Sequence, residues 1–378
     1  MELTDTKYKQ TEVGLIPKDW EVNKLGELTL SIESGNSITR NENGNFDLYG
    51  STGIIGTKSY YDYSGDRLLV ARVGANAGNL YKVGGYYCVS DNTLMLKCTS
   101  KLNINYCFYW LTNFNLNKLV FGSGQPLITG GQLKSLDISI PTLTEQKTIA
   151  QVLSDTDALI QALEKKIAKK KLIKKGVMQK LLTPKKDWEV KTLGEVGEGI
   201  IGLTYSPNDV RKNGTLVLRS SNVQKGQLAF ADNVFVEMDL PGRVIVKEND
   251  ILICVRNGSK RLIGKCALID KKTAGSAFGA FMTVYRSQYS KYIFYVFQSH
   301  YIQRQIDEVM GATINQITNK DLNSFVIPFP SVEEQNRIAQ ILSDLDVEIQ
   351  HLIQKSAKYK LAKQGMMQQL LTGKIRLV

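Results

Sequence analysis

The sequence predicts an α+β protein: two globular domains separated by two long helices that form an antiparallel coiled coil, with a pseudo-twofold internal repeat relating the halves. Three observations lead there. Segments recur in register between the halves, two long stretches carry apolar residues at spacings of three and four, and the regions before them hold short β-branched runs cut by Gly, Asn and Ser.

The repeat sets the order of parts. Residues 20–27, opening on Trp20, recur at 188–195, opening on Trp188, with six identities in eight at an offset of 168. Residues 149–160 return at 338–349 with eight identities in twelve, and 176–183 return at 365–372, both at an offset of 189. The offset grows by 21 residues between these blocks, so the copies share their ends while their middles differ in length and sequence. The division that follows is a globular domain over 1–143, a helix over 144–183, a second globular domain over 184–332 and a second helix over 333–378.

In the first domain residues 67–71 and 93–97 read as strands and 104–119 as helical. After Pro141 the period changes. Thr144, Glu145 and Gln146 open a helix, and Leu153, Thr156, Ile160, Leu163 and Ile167 form its stripe. In the second domain residues 215–219, 250–255 and 281–285 read as strands and 291–310 as helical. Beyond Pro330, the segment from Ser331 to Glu334 opens the second long helix, whose stripe of Leu342, Leu345, Ile349, Leu352, Tyr359 and Met366 is interrupted by Ser356 and Lys363. A helix over 144–182 would be about 55 Å long, more than a compact domain needs to cross itself. Two narrow apolar stripes with nothing else to cover them pair with each other.

At 378 residues the chain is long enough for two or three domains with cores of their own. Hydrophobic residues at 43% and charged residues at 22% exclude wholesale disorder. Forty-eight Lys and Arg against 36 Asp and Glu give +12, which favours a polyanionic partner such as nucleic acid or an anionic membrane surface. The charge is +5 over residues 1–189 and +7 over 190–378, so both halves could face the same polyanion. Five cysteines, an odd count without CxxC spacing, argue against a disulfide framework and a zinc knuckle. With no run of 18 apolar residues and a polar, charged first decade, the expected location is the cytoplasm, without membrane association.

Motifs for chemistry are missing. Residues 73–78 are Gly-rich but lack phosphate-loop spacing. Pro184, Asp187, Glu189 and Lys191 supply the letters of a nuclease site, yet the carboxylates are two apart and the first copy has Asn23 where Lys191 stands. His300 and His351 are the only histidines, and no methyltransferase or helicase motif is present. The chain is therefore expected to be no enzyme, with no catalytic residue, metal or cofactor of its own.

Binding remains. Arg pairs with guanine, Asn and Gln with adenine, and hydroxyls with phosphates. The candidates for DNA contact in the first domain are Ser37, Arg40, Ser51, Thr52, Lys58, Arg72, Asn76, Asn79 and Gln125. In the second they are Arg219, Ser220, Asn222, Arg256, Asn257, Ser259, Lys260, Arg261 and Lys265, with Thr313 and Gln316 in a further loop. Seven lysines among residues 165–175 form either a solvated helix face or a contact to DNA backbone or an acidic partner.

Four segments carry a family likeness: Thr11-Glu-Val-Gly-Leu-Ile-Pro-Lys-Asp-Trp20, Ile140-Pro-Thr-Leu-Thr-Glu-Gln146, Gln179-Lys-Leu-Leu-Thr183 and Gln369-Leu-Leu-Thr-Gly-Lys-Ile-Arg376. In their paired order the chain resembles the specificity subunits of type I restriction-modification systems. The resemblance implies that each globular domain is a target recognition domain reading one half of a bipartite, asymmetric DNA sequence. It implies too that the helices separate these domains and help dock two modification subunits, with Glu145, Gln146, Lys165, Lys169, Glu334 and Gln335 as candidate partner contacts. S-adenosylmethionine chemistry would belong to those modification subunits, and ATP and Mg chemistry to restriction subunits. Residues 47–56 and 90–96 look like a common class of recognition domain. The second domain departs from it, with residues 218–223 in a different setting, which suggests a different half-site. Two other readings stay open: a self-contained DNA-modifying or DNA-cleaving enzyme with an unrecognised site, and a coiled-coil scaffold that binds protein or glycan.

Overall fold

A computed structural model describes residues 7–38, 43–122, 126–310 and 315–377. The fold resolves into two compact units, residues 1–165 with 353–378 and residues 166–352. The division runs through both long helices, so each unit is completed by a stretch from the other sequence repeat.

In unit 1 a four-stranded antiparallel sheet has the spatial order Thr29–Ser34, Thr93–Cys98, Arg67–Ala71, Leu80–Val83. Successive side chains of a strand point to opposite faces. Leu68, Val70, Leu94 and Leu96 accordingly pack into the main core with the helix Ile104–Phe114, while Leu69 and Met95 pack on the other face with Tyr87 and Val89. Those two residues belong to a smaller mixed sheet in which Phe46–Gly50 pairs in parallel with Tyr86–Val89. The helix is capped by Asn103, whose side chain accepts the N–H groups of Asn105 and Tyr106, and it ends where Asn115 adopts φ 63°.

Unit 2 repeats this plan. Its antiparallel sheet has the order Glu198–Ile201, Met282–Arg286, Ile251–Cys254, Cys266–Leu268, and its smaller sheet again holds one parallel pair, Thr215–Leu218 with Ala277–Phe278. Ile251 and Ile253 face one core while Leu252 and Cys254 face the other. The second domain, read from sequence as a departure from the first, thus shares its sheet order and differs in its connections. Between the first two strands of the sheet in chain order that are long enough to carry the core, residues 35–66 connect in unit 1 and 202–250 in unit 2, which accounts for most of the growth in offset.

The long helices are Leu143–Leu181 and Val332–Leu370. They start slightly before the expected positions, because Thr142 and Ser331 supply the hydroxyls that accept the N–H groups of Glu145 and Glu334. Leu153, Ile160 and Leu163 of the first stripe are buried, as are Leu342 and Ile349 of the second, with Met367 and Leu370 closing its far end. In unit 1 Asp157 pairs with Lys363 and Glu164 with Lys360, both at 2.6 Å; in unit 2 Lys170 pairs with Glu348 at 2.7 Å and Lys174 with Asp346 at 2.6 Å. Numbers rise on one helix as they fall on the other, so the pairing is antiparallel in each unit. Of the lysines in 165–175, Lys170 and Lys174 are spent on these pairs, and Lys165, Lys166, Lys169, Lys171 and Lys175 are exposed.

Three residues expected to face a partner are internal instead. Glu145 is 1% exposed; its carboxylate accepts from Trp20 Nε1 at 3.2 Å and from Arg376 Nε and Nη2 at 2.7 and 2.8 Å. Gln146 donates to the carbonyls of Lys101 and Pro141 and accepts the Asn103 N–H, and Gln335 donates to the Pro330 carbonyl. Leu143 and Val332 at the helix starts are exposed, but one face of each first turn is buried, and there Gln146 and Gln335 satisfy backbone groups. Glu334 is half-buried and held by Lys185 and Arg337, whose hydrogen bonds lower its carboxyl below the ordinary range.

Arg376 also grips Asp19, at 2.9 and 2.7 Å. Arg376→Ala leaves the buried Glu145 carboxylate without its bidentate partner, and unit 1 should lose about 3–5 kcal/mol in denaturant unfolding; a loss below about 1 kcal/mol would show the network to be dispensable. The Arg376 hydrogen bond holds the Asp19 carboxyl below its ordinary range. A depressed folded value means that its contribution is present above about pH 4 and is lost as the pH falls further. That acid limb should be weaker in Arg376→Ala.

Candidate nucleic-acid interface

In unit 2 candidates far apart in sequence converge. The strand Thr215–Leu218 ends in a tight turn, Ser220–Asn222, and Asn222 is fully buried beneath it. Its Oδ1 accepts the Arg219 N–H at 2.9 Å, and its Nδ2 donates to the Ala229 carbonyl at 2.9 Å and to Asn233 Oδ1 at 3.1 Å. Asn222 therefore holds the loop in shape, and the expectation that it contacts DNA is corrected on that ground. Above it, Asn257 Nδ2 donates to Ser220 Oγ at 3.1 Å, and Lys265 Nζ donates to the carbonyls of Ser220 and Val223. Burial lowers the Lys265 ammonium's titration from its ordinary value.

Arg219 projects from the same turn and pairs with Asp232 at 2.8 Å. The exposed Arg256 lays its guanidinium over the Phe281 ring, 5.3 Å from its centre. Asn257 Oδ1 accepts the Ser259 N–H, and the exposed Lys260 and Arg261 occupy the short turn that follows. Gln316 bridges to Arg256 through the backbone, while Thr313 lies outside the described residues. A cavity of about 680 Å³ opens beside this group, walled by Leu203, Tyr205, Arg219, Asp232 and Phe281. Phe281, 58% exposed, and Asp232 were missed in the sequence. Phe281 heads an apolar alternating run that reads as core strand, and nothing local tells its outward ring from an inward one.

Unit 1 separates its candidates. Ser37 and Lys58 are buried: Ser37 Oγ accepts the Val89 N–H at 3.0 Å and donates to Asp62, and Lys58 Nζ donates to Asp62 at 3.1 Å while lying over the Tyr60 ring. Burial pushes the Asp62 carboxyl up, but the Ser37 and Lys58 hydrogen bonds outweigh it and leave its titration lowered. These two are thus internal, because a buried ammonium needs its carboxylate. Thr52 is exposed and Ser51 half-exposed, its carbonyl accepting the Tyr81 hydroxyl. Asn79 donates to Asn76 at 3.2 Å in a turn built on Gly74 and Gly78, which accounts for the Gly-rich stretch. Arg72 is half-buried at its edge. Arg40 and Gln125 lie outside the described residues. An aromatic group missed in the sequence, Phe46, Tyr61 and Tyr86, has ring centres 4.5–6.5 Å apart with both tyrosines exposed.

Lys191, one of the four nuclease letters, pairs with Glu189 at 3.0 Å and covers the Phe329 ring. Among the described residues no group of three or more His, Cys, Asp or Glu is placed to hold a metal ion. No described helix is long and apolar enough to cross a membrane.

Comparison with known proteins bears on this geometry. The chain is 26% identical over 414 residues to the type I restriction enzyme MjaVIII specificity subunit of Methanocaldococcus jannaschii, covering 98% of this chain and 96% of the relative. It is 30% identical over 176 residues to the EcoKI specificity subunit of Escherichia coli K12, covering 43% of this chain and 37% of that one. The crystal structure of the type I restriction-modification S subunit from M. genitalium superposes with a TM-score of 0.67 at 17% identity, covering 96% of this chain and 98% of that one, which shows a shared fold. The family described as type I restriction modification DNA specificity domain matches residues 17–172 and again 185–359. With one copy of that domain in each sequence half and together spanning most of its length, the chain belongs to the type I restriction-modification DNA specificity family.

Proposed function

We propose that the chain is the sequence-reading, non-catalytic subunit of a type I restriction-modification enzyme, and that each recognition domain reads one half of a bipartite, asymmetric target. The observation that carries this reading for unit 2 is the convergence at one turn of Arg219 and Ser220 with Asn257 and Lys265, which hydrogen-bond Ser220, beside a cavity that the turn shares with Phe281, over whose exposed ring Arg256 lies. Cations, amides and hydroxyls in one cluster have the chemistry that holds phosphates and reads base edges. In unit 1 the exposed or half-exposed Ser51, Thr52, Arg72, Asn76 and Asn79 take the corresponding part.

On this reading the chain binds no cofactor. S-adenosylmethionine belongs to two modification subunits and ATP with Mg to restriction subunits, all acting in the cytoplasm. The exposed Lys165 in unit 1, and in unit 2 the exposed Lys169 and Leu172, the latter 71% exposed, are available to partner subunits. The self-contained-enzyme alternative is separated by incubating the purified chain with DNA, labelled S-adenosylmethionine and metal; transfer or cleavage without any partner would refute the proposal. The scaffold alternative is separated by co-purification: an adenine methyltransferase subunit and salt-sensitive duplex binding remove it.

Arg256→Ala should weaken duplex binding roughly 5- to 150-fold and, if the contact is to phosphate, lower the salt slope by about one. Anisotropy titrations at several salt concentrations measure both, and unchanged affinity would remove Arg256 from the interface. Exchanging residues 190–330 for another recognition domain should change one half-site of the methylated motif; a change in both would contradict two separate readers. Inserting about one helical turn after Lys165, within the segment from Ser154 to Lys175, with a matching turn after Leu352, should alter the spacer while leaving both half-sites intact. Mapping methylated adenines in cells carrying the altered chain reads both outcomes.

A further inference from the structure

One cation sits on the helix seam of each unit. Lys363 interrupts the second helix's apolar stripe, and Lys174 occupies the matching position 189 residues earlier. In unit 1 Lys363 Nζ donates to Asp157 Oδ1 at 2.6 Å, the Tyr109 hydroxyl donates to Asp157 Oδ2 at 2.9 Å, and the ammonium lies 5.2 Å from the centre of the Tyr109 ring. In unit 2 Lys174 Nζ donates to both Asp346 oxygens at 2.6 and 2.8 Å, the Tyr295 hydroxyl donates to Oδ2 at 3.1 Å, and the ammonium lies 5.3 Å from that ring's centre. Asp157 and Asp346 are again 189 apart. The two tyrosines come from Ile104–Phe114 and Ser290–Phe297, the helices that follow the last strand of each central sheet.

Each cluster ties three elements together: the helix of a recognition domain and both long helices. The rest of that contact is apolar packing, which has no preferred direction and tolerates small shifts. A carboxylate that accepts from a phenol and an ammonium at once, on separate oxygens at Asp157 and with Oδ2 shared at Asp346, restricts the geometry of all three elements, and polar groups on an apolar seam are best attested as devices that set register. Burial, reinforced by the neighbouring carboxylate, pushes the titration of both phenols up, so both remain O–H donors at neutral pH. Neither cluster includes a loop candidate for base contact, and Lys174, one of the seven lysines read as a possible contact to DNA backbone, is committed to Asp346.

We propose that the two Tyr–Asp–Lys clusters are positioning devices, each fixing the pose of one DNA-reading domain on the helix pair and so governing the base discrimination of one half-site. This rests on the specificity reading above. Tyr109, Asp157 and Lys363 serve the first domain's half-site, and Tyr295, Asp346 and Lys174 the second's.

The test uses the chain in complex with its modification partner and a duplex library varied at one position in each half-site, with methyl transfer read by sequencing. Tyr109→Phe keeps the ring and removes the donor. Preference for the correct base should fall about tenfold in the first half-site, the scale of one charge-assisted hydrogen bond, and stay unchanged in the second. Tyr295→Phe should give the mirror result, and Lys363→Arg should retain the wild-type preference. Lys363→Met supplies the same comparison should Tyr109→Phe not fold. Equal loss at both half-sites, or a lowered melting temperature with both preferences intact, would overturn the proposal, because purely structural residues behave that way. A wild-type complex with no base preference at either half-site would overturn the specificity reading itself, and the proposal with it.

Discussion

Two helices of 39 residues each carry an apolar stripe that water will not tolerate uncovered, and in each unit residues of both helices close the core of a recognition domain. Each unit depends on that shared core. In unit 1 the N-terminal part of the first helix lies with the C-terminal part of the second; in unit 2 the parts are reversed. A sequence repeat is therefore not a folding unit, because each recognition domain stands on material from both copies. Arg376 makes this concrete. It is one of the last residues of the second copy, and it neutralises Glu145 and Asp19 of the first. Lys185, just past the first helix, performs the corresponding service for Glu334.

The polar residues of the protein divide into two economies. Some, including Asn222, Ser37, Gln146 and Gln335, are turned inward to complete hydrogen bonds the backbone cannot make alone, and Lys58 is turned inward onto Asp62. Others, including Arg256, Lys260, Arg261 and Thr52, stay in solvent. The inward group makes the outward one useful: Asn222 holds the turn from which Arg219 and Ser220 project, and Lys265 ties that turn to the chain before Cys266. Preorganised loops lose less freedom on binding and so discriminate better.

Much of this was legible in the sequence. The repeat gave the order of parts, the period of Leu153, Ile160 and Leu163 gave a helix seam, and the runs around Leu68 and Leu252 gave buried strands. What stayed hidden follows from the same physics. Glu145 stands in a first helical turn, where a carboxylate is ordinarily solvent-facing, and the cation that buries it is 231 residues away. Lys58 and Arg256 look alike in a polar loop, and only the position of Asp62 separates them. Lys363 read as a flaw in the stripe, since the phenol and carboxylate that accommodate it come from two other elements. The partners of charged groups are set by tertiary distance, which no local pattern carries.

The connection of residues 202–250, longer than its counterpart 35–66 while the strands it joins keep their order, has an evolutionary consequence. Closing a longer connection costs little in chain entropy, a few tenths of a kcal/mol for this difference in length. The connection is not a bare loop, however: it carries the strand Thr215–Leu218 and buries Val217, Leu218, Val223, Val236, Val244 and Val246 in a core shared with Leu252 and Val284. Diversification of what such a domain recognises is then limited by the core its inserted segment must rebuild, and hardly at all by the length of that segment.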